Sequence, residues 1–170
     1  VLTVALLALS SPQSVLRLGG MLLSVQGISL LLWPRPTDGG LRVAVLAVGQ
    51  GDSALIVGCD TTVLFDSGPP ASSKEGRSAV ERVVLPYLRT RGIRRLDYVL
   101  LSHPHADHIG GLEALLQNVE VGEIWWTGDR RHAPASLLAP LRNVRNLRVG
   151  PGIYIQLGNA SLRLLGPLRP

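Results

Sequence analysis

The sequence SHPHADHIGG at residues 102–111 carries more information about function than the rest of this chain. It contains three of the four histidines of the 170-residue chain, together with one carboxylate. Pro104 disfavours helical geometry at the residue before it, so residues 103–105 are predicted to be extended. Side chains two positions apart in an extended segment point the same way. We therefore expect His103 and His105 to hold one metal ion together.

Asp107 and His108 follow in the turn that leads toward Gly110, where they can face a second ion beside the first. Neutral imidazole suits zinc, and a carboxylate oxygen suits zinc, manganese or iron. Because the block contains no cysteine, this mixed ligand set favours a catalytic over a structural site. Two ions about 3.5 to 4 Å apart can hold a hydroxide and a phosphate or carbonyl oxygen together. The alternative, a polar surface loop, does not account for this density of ligand residues.

Asp66 and His132 are two further residues with metal-ligating side chains. Asp66 ends an apolar run, where its carboxylate could ligate a metal or buttress a ligand histidine. Capping of the turn before Gly68 is an alternative role for Asp66 that the sequence leaves open. His132 lies among charged residues in a predicted loop, and we interpret it as a solvated side chain.

Short apolar and β-branched runs predict the strands of a mixed α/β domain. Residues 41–48 and 53–57 flank the turn GQGD at 49–52, which is typical of strand, tight turn, strand. The continuous apolar run at 98–101 predicts a strand covered on both faces. Since the histidine block follows this run directly, its ligands are expected at the carboxyl end of a strand. Further strands are predicted at 61–65 and 123–126, and a hairpin at 153–157 and 161–165.

Helical patterns lie between these strands. Ser78 followed three residues later by Glu81 is a capping box, and apolar residues then recur at helical spacing. Pro86 within this helix removes one backbone hydrogen bond and is expected to kink it. Two more helices are predicted at 112–118 and 135–142.

The first forty residues differ in composition from the rest. Residues 1–33 carry Arg17 as their one charge, and we interpret them as the end of a membrane region. A buried apolar helix is the alternative, because each uncharged stretch is slightly short for a span. Residues 34–40 combine two prolines and two glycines, which is typical of a linker. The domain that carries the histidine block is then predicted to occupy residues 41–170.

The net charge of +5 comes almost entirely from arginine, since Lys74 is the only lysine. Arginine favours bidentate phosphate contact, although spread over solvated faces it need not indicate a nucleic-acid partner. Aromatic residues make up only 4% of the chain, which argues against a groove that stacks single-stranded bases. If DNA binds, we expect contact with its phosphate backbone.

The block at 102–111 resembles the HxHxDH signature of the metallo-β-lactamase superfamily. The segments VGQGDS at 48–53, LFDSG at 64–68 and LPYL at 85–88 are similar, in order and spacing, to the version found in ComEC-type competence proteins. Those proteins are bacterial DNA-uptake channels in the cell membrane. The resemblance covers residues 41 to about 167, and the apolar stretch before it is similar to a channel-to-domain junction.

The resemblance implies an α/β (α+β) fold, the αββα sandwich, of which this chain would carry the first half only after an apolar N-terminal helical segment. It implies two divalent metal ions, zinc or manganese, with His103 and His105 on the first. Asp107 and His108 would bind the second, and Asp107 would also orient the attacking water. The implied partners are DNA, the membrane or the rest of the transporter, and other competence proteins.

Two departures from the family pattern bear on function. Ala47 stands where the family usually has an aspartate, and the family's later ligands, an aspartate and a histidine, are not found before Pro170. The leading hypothesis is a metal-dependent nuclease domain that degrades the non-transported strand when the protein is full length. The alternatives are a small-molecule metallohydrolase acting on thioesters, lactams or phosphoesters, and a noncatalytic module of a DNA transporter. The sequence does not orient the domain to one face of the membrane.

Overall fold

The computed structural model describes residues 40–73, 76–128 and 130–165. The predicted membrane-like segment 1–33 and the linker 34–40, apart from Gly40, lie outside these residues. Residues 166–170 at the end of the predicted domain lie outside them as well. Within the described ranges, we find no helix with the length and apolar character needed to cross a membrane.

One six-stranded sheet and a separate two-stranded hairpin form the framework. The strands are β1 Arg42–Val45, β2 Ala54–Val57, β3 Thr62–Phe65, β4 Arg95–Leu101, β5 Glu120–Trp126, β6 Asn146–Arg148, and the hairpin strands β7 Tyr154–Leu157 and β8 Ala160–Arg163. The helical elements are a π-helical turn Val80–Val84 continuing into α1 Leu85–Thr90, then α2 Ala106–Ile109, α3 Leu112–Asn118, a 3₁₀ turn Arg130–His132 and α4 Ala135–Leu141. The mixed α/β fold class predicted from the sequence is confirmed.

The strand order in the large sheet is β1-β2-β3-β4-β5-β6, the same as the order along the chain. The first three strands are antiparallel neighbours, and short turns are sufficient to join them. From β3 onward the neighbours are parallel, and helical crossovers join them. The carboxyl ends of β3, β4, β5 and β6 therefore meet at one edge of the sheet.

The sheet is buried on both faces near its centre. On β3, Val63 and Leu64 are each 0% exposed and point to opposite faces. Leu64 packs in a core with the helices, whereas Val63 packs in a second core with hairpin residues such as Ile155. Full burial of each such side chain contributes about 1.5–3 kcal/mol. This two-sided burial explains why the central strands have continuous apolar sequences.

Strands β4 and β6 are among the elements that differ from the sequence-based expectations. Strand β5 also begins earlier than predicted, at Glu120, and β1 is confined to Arg42–Val45. Strand β4 begins at Arg95, three residues before the predicted start, because the polar residues at its beginning pair with the neighbouring strands. Arg95 and Glu120 form an ion pair of 2.6 Å, and Asp97 accepts the Thr62 backbone N–H at 2.8 Å. The three-residue edge strand β6 was not predicted, because its alternation is too short to give a signal.

The irregularity expected at Pro86 is present as the π-helical turn that precedes α1. Proline has no N–H and its ring crowds the carbonyl four residues earlier, so the regular ladder cannot continue through it. The backbone N–H of Leu85 instead bonds the carbonyl of Val80, five residues earlier. The wider turn thus accommodates the proline, which lies in the first turn of α1.

The capping box at the start of this helical segment is confirmed. The backbone N–H and the hydroxyl of Ser78 donate to Glu81 Oε2 at 2.8 and 2.9 Å. The Glu81 N–H reaches Ser78 Oγ at 3.4 Å. The backbone hydrogen bond from Ser78 is the main cause that lowers the pKa of Glu81 below its ordinary value of 4.5, and the Ser78 hydroxyl adds to it.

We expect a pH-dependent contribution of Glu81 to stability. Because its pKa is lower in the folded than in the unfolded chain, the unfolded chain binds more protons on acidification. The stabilisation is therefore complete above the ordinary pKa and is lost as pH falls through the folded value. Urea unfolding of the wild type and of Glu81→Gln is expected to differ at neutral pH and to converge in acid, below the lowered pKa of Glu81. A difference that persists unchanged in acid would contradict the cap.

Candidate metal centre

The candidate site lies at the edge where the parallel strands end. Asp66 directly follows β3, and Ser102 and His103 directly follow β4, which is the parallel neighbour of β3. The chain then makes the single-turn helix α2, which carries Asp107 and His108. The structure therefore confirms that the histidine block follows the carboxyl end of a strand.

Asp66 is the buried anchor of this edge. Its side chain is 0% exposed, and its backbone has a φ of 53°, a left-handed conformation that aspartate tolerates better than most residues. Its Oδ1 accepts the Ser102 backbone N–H at 2.8 Å, and its Oδ2 accepts the Ser102 hydroxyl at 2.6 Å. His108 Nδ1 lies 2.8 Å from the same Oδ2. The sequence left three roles open for Asp66: metal ligand, buttress of a ligand histidine, and cap of the turn before Gly68. These contacts are those of a buttress, and a role as a ligand stays a prediction.

His108 is held between two carboxylates. An ionised carboxylate can only accept, so Nδ1 of His108 donates to Asp66, and in the neutral ring Nε2 is then the nitrogen with the lone pair. Nε2 lies 3.5 Å from Asp107 Oδ2. The imidazole is only 10% exposed, whereas the Asp107 carboxylate is 40% exposed. Nε2 of the buried His108 ring therefore faces the more accessible carboxylate of Asp107.

His103, Asp107 and His108 form a group whose ligand atoms all lie within 4.8 Å of one another. The rings of His103 and His108 are close, with centroids 3.9 Å apart. Two imidazoles and one carboxylate are a donor set that fits zinc, manganese or iron. These three residues could hold a divalent metal ion.

His105 stands apart from that group. Its ring meets the edge of the His103 ring with centroids 4.7 Å apart, and it is exposed at the N-terminus of α2. The backbone at His105 is extended, with φ −84° and ψ 150°. Among the described residues, the structure does not bring His105 into either of the compact clusters of possible ligands. A role for it as a ligand stays a prediction.

Asp52 was missed as a site residue. Its carboxylate is 73% exposed and lies 3.9 Å from His108 Nδ1, and with Asp66 and His108 it forms a second compact cluster. The sequence did contain a signal for Asp52, because it ends the glycine-rich turn GQGD at 49–52. Gly51 has a φ of 116°, and a Cβ there would overlap the carbonyl oxygen of Asp107. The turn at 49–52 thus lies directly against the segment that carries the candidate metal ligands.

A second backbone contact fixes α2 on the chain that follows β3. The Ser67 backbone N–H and hydroxyl both donate to the His108 carbonyl, at 2.7 and 3.0 Å. Gly68 and Ile109 form a parallel bridge. A Cβ at Gly111 would overlap the Val80 side chain, which explains the need for glycine there. These contacts place Asp107 and His108 mainly through hydrogen bonds to the backbone of α2.

A cavity of about 640 Å³ opens beside His103. It runs between the carboxyl ends of β4 and β5 and the strand β8. Apolar side chains dominate its wall, including Phe65, Leu100, Trp125 and Leu164. Space for an apolar group therefore adjoins the candidate metal ligands.

Comparison with known proteins gives two competence proteins among its matches. The chain is 33% identical over 113 residues to ComE operon protein 3 of Bacillus subtilis (strain 168), covering 61% of this chain and 14% of that protein. It is 38% identical over 73 residues to competence protein ComA of Neisseria gonorrhoeae, covering 43% of this chain and 10% of that protein. The chain thus matches about a tenth to a seventh of the length of these relatives.

Among solved structures, the metallo-beta-lactamase fold protein YhfI from Bacillus subtilis aligns with a TM-score of 0.47 and 20% identity. The alignment covers 72% of this chain and 51% of that one. The profile of the Metallo-beta-lactamase superfamily matches residues 46–162, a range that includes both the GQGD turn and the histidine block. The chain therefore belongs to the Metallo-beta-lactamase superfamily.

Proposed function

We propose that this chain is part of a metal-dependent hydrolase domain of a competence protein, and that the domain cleaves phosphodiester bonds of DNA. The observation that carries the proposal is the group His103, Asp107 and His108, set at a sheet edge by buried Asp66. Family membership supports hydrolysis, and the similarity to two competence proteins supports the setting.

The proposed ligands are those of the sequence prediction. His103 and His105 would bind one divalent ion, Asp107 and His108 would bind a second, and zinc or manganese would suit both positions. Asp66 acts mainly as the buttress of His108. A divalent ion bound here supplies Lewis acidity toward a phosphate oxygen. The half-exposed carboxylate of Asp107 is the proposed catalytic group, because it can orient a water molecule and accept its proton.

Two exposed arginines on this side of the sheet favour a phosphate-bearing substrate. Arg148 is exposed at the carboxyl end of β6, the same sheet edge that carries the histidines. Arg163 is exposed and lines the cavity beside His103. Guanidinium groups bind phosphate oxygens bidentately, and contacts of this kind supply most of the affinity of proteins for DNA backbone.

The proposed setting is the cell membrane. Residues 1–33 would be the end of a membrane region, 34–40 a linker, and 41–170 would belong to the hydrolase domain. Partners would be DNA, the rest of the transporter and other competence proteins. The similarity to competence proteins supports this arrangement.

A small-molecule metallohydrolase is the second candidate. The observation that favours it is the apolar cavity beside His103, because a strand of DNA does not need an apolar wall of this kind. A thioester, lactam or phosphoester with an apolar group would place its reactive bond near the histidines.

The test is hydrolysis by the full-length protein with added manganese or zinc. We expect cleavage of DNA, and we expect His103→Ala to lower its rate by more than about 100-fold. His132→Ala is the matched control, since His132 is an exposed histidine on the 3₁₀ turn. Turnover of chromogenic esters or lactams without DNA cleavage would favour the second candidate. A protein that binds no metal would overturn both and favour a noncatalytic module.

A further inference from the structure

The hydroxyl of Ser102 lies between the buried carboxylate and the first histidine of the block. Its Oγ is 2.6 Å from Asp66 Oδ2 and 2.9 Å from His103 Nδ1. The Ser102 hydroxyl therefore links the Asp66 carboxylate to the imidazole of His103. Nothing in the sequence pattern singled out this serine.

The direction of these hydrogen bonds follows from the proton count. The Asp66 carboxylate can only accept, and a serine hydroxyl has a single proton. A separation of 2.6 Å is typical of a hydroxyl that donates to a charged oxygen. The Ser102 proton is thus directed to Asp66, and its oxygen accepts from His103. A neutral His103 then carries its proton on Nδ1, which leaves the lone pair on Nε2.

The same carboxylate sets the second ring. His108 Nδ1 donates to Asp66 Oδ2 at 2.8 Å, while its 3.5 Å separation from Ser102 Oγ is too long for a strong hydrogen bond. His108 also keeps the Nε2 lone pair. One buried carboxylate, directly and through one hydroxyl, therefore gives both histidines the same tautomer.

We propose that Ser102 is a positioning residue that fixes the tautomer and orientation of His103, so that Nε2 faces the metal position. The inference rests on the proposed function, because it assigns a role toward the metal ion. Partners that hold the second nitrogen of a ligand histidine commonly contribute 10- to 100-fold to metal affinity. Loss of the hydroxyl alone leaves His103 with no acceptor for Nδ1 among the contacts described above.

The loop around Ser102 does not depend on the hydroxyl for its path. The Ser102 backbone N–H donates to Asp66 Oδ1 at 2.8 Å, and its carbonyl accepts the Thr127 hydroxyl. Ser102→Ala keeps both backbone contacts. Ser102 also borders the cavity beside His103, which gives space for the extra methyl of Ser102→Thr. Threonine is therefore expected to restore the hydroxyl function.

The first measurement is ¹⁵N NMR of the metal-free full chain with labelled histidine, where protonated and bare ring nitrogens have well-separated shifts. We expect His103 in the wild type to be protonated on Nδ1. In Ser102→Ala we expect a shift toward the Nε2-protonated form, which free histidine prefers, and in Ser102→Thr a return to the wild-type signal. An unchanged His103 signal in Ser102→Ala would overturn the inference.

The second measurement is zinc affinity by competition with a chelator. Ser102→Ala is expected to weaken binding about 10- to 100-fold, and Ser102→Thr to restore it. Ser53→Ala is the matched control, because the buried Ser53 hydroxyl bonds the Asp66 carbonyl at 3.1 Å without touching an imidazole. Equal affinity of Ser102→Ala and wild type would overturn the inference and leave the proposed function standing. A wild type that binds no zinc would overturn the proposed function, while the NMR result still decides the tautomer.

Discussion

Replacement of Asp66 by alanine is expected to lower the free energy of unfolding by about 3–5 kcal/mol and to abolish metal binding. The carboxylate is fully buried and accepts three hydrogen bonds, two from Ser102 and one from His108. Alanine leaves all three donors without their acceptor, and the His108 ring among them is only 10% exposed. Because these donors belong to the loop that carries the candidate ligands, stability and metal affinity are expected to fall together.

The comparison variants separate the charge from the shape of Asp66. Asp66→Asn keeps the volume and tolerates the left-handed backbone, but it places an amide donor against one of the existing donors. We expect its loss of stability to be smaller than that of Asp66→Ala. Asp60→Ala removes an exposed carboxylate and should change stability by less than about 0.5 kcal/mol. Urea unfolding of the three variants measures the order of their free energies of unfolding. Equal stability of Asp66→Ala and Asp60→Ala would contradict the buttress.

Much of the fold could be predicted because local patterns agree with the final packing. The capping box at Ser78 predicted the start of a helical segment, and the apolar run at 98–101 predicted a strand with two buried faces. The π-helical form of the turn before Pro86 could not be predicted. Only the fold decides whether a helix kinks, ends or widens at a proline that removes a hydrogen bond.

The candidate site was predicted in part. The block at 103–108 gave the ligand types, and the strand before it gave their place at the sheet edge. The roles of Asp66 and Ser102 depend on which strands are neighbours, because β3 and β4 are far apart in sequence and adjacent in space. Asp52 reaches the site across a turn that also lies far from the block in sequence. Long-range contacts of this kind leave no periodic signal in one sequence.

Gly51→Ala is the second large effect that we expect. The turn at 49–52 lies so close to α2 that a Cβ on Gly51 would overlap the backbone carbonyl of Asp107. A backbone carbonyl cannot rotate away as a side chain can, so the turn or α2 must move. Since α2 carries Asp107 and His108, the expected result is a loss of about 3 kcal/mol or more in stability and a clear loss of zinc affinity.

Gly49→Ala provides the matched control for this prediction. Gly49 also has a positive φ, 90°, but a Cβ there would have nothing within 4 Å. It therefore carries the cost of the left-handed backbone, about 1–2 kcal/mol, without the overlap. The difference between the two variants in urea unfolding and in zinc competition isolates the contact of the turn with Asp107. If both variants lose the same stability and keep zinc equally well, the GQGD turn does not position α2, and its place beside the histidines has no bearing on metal binding.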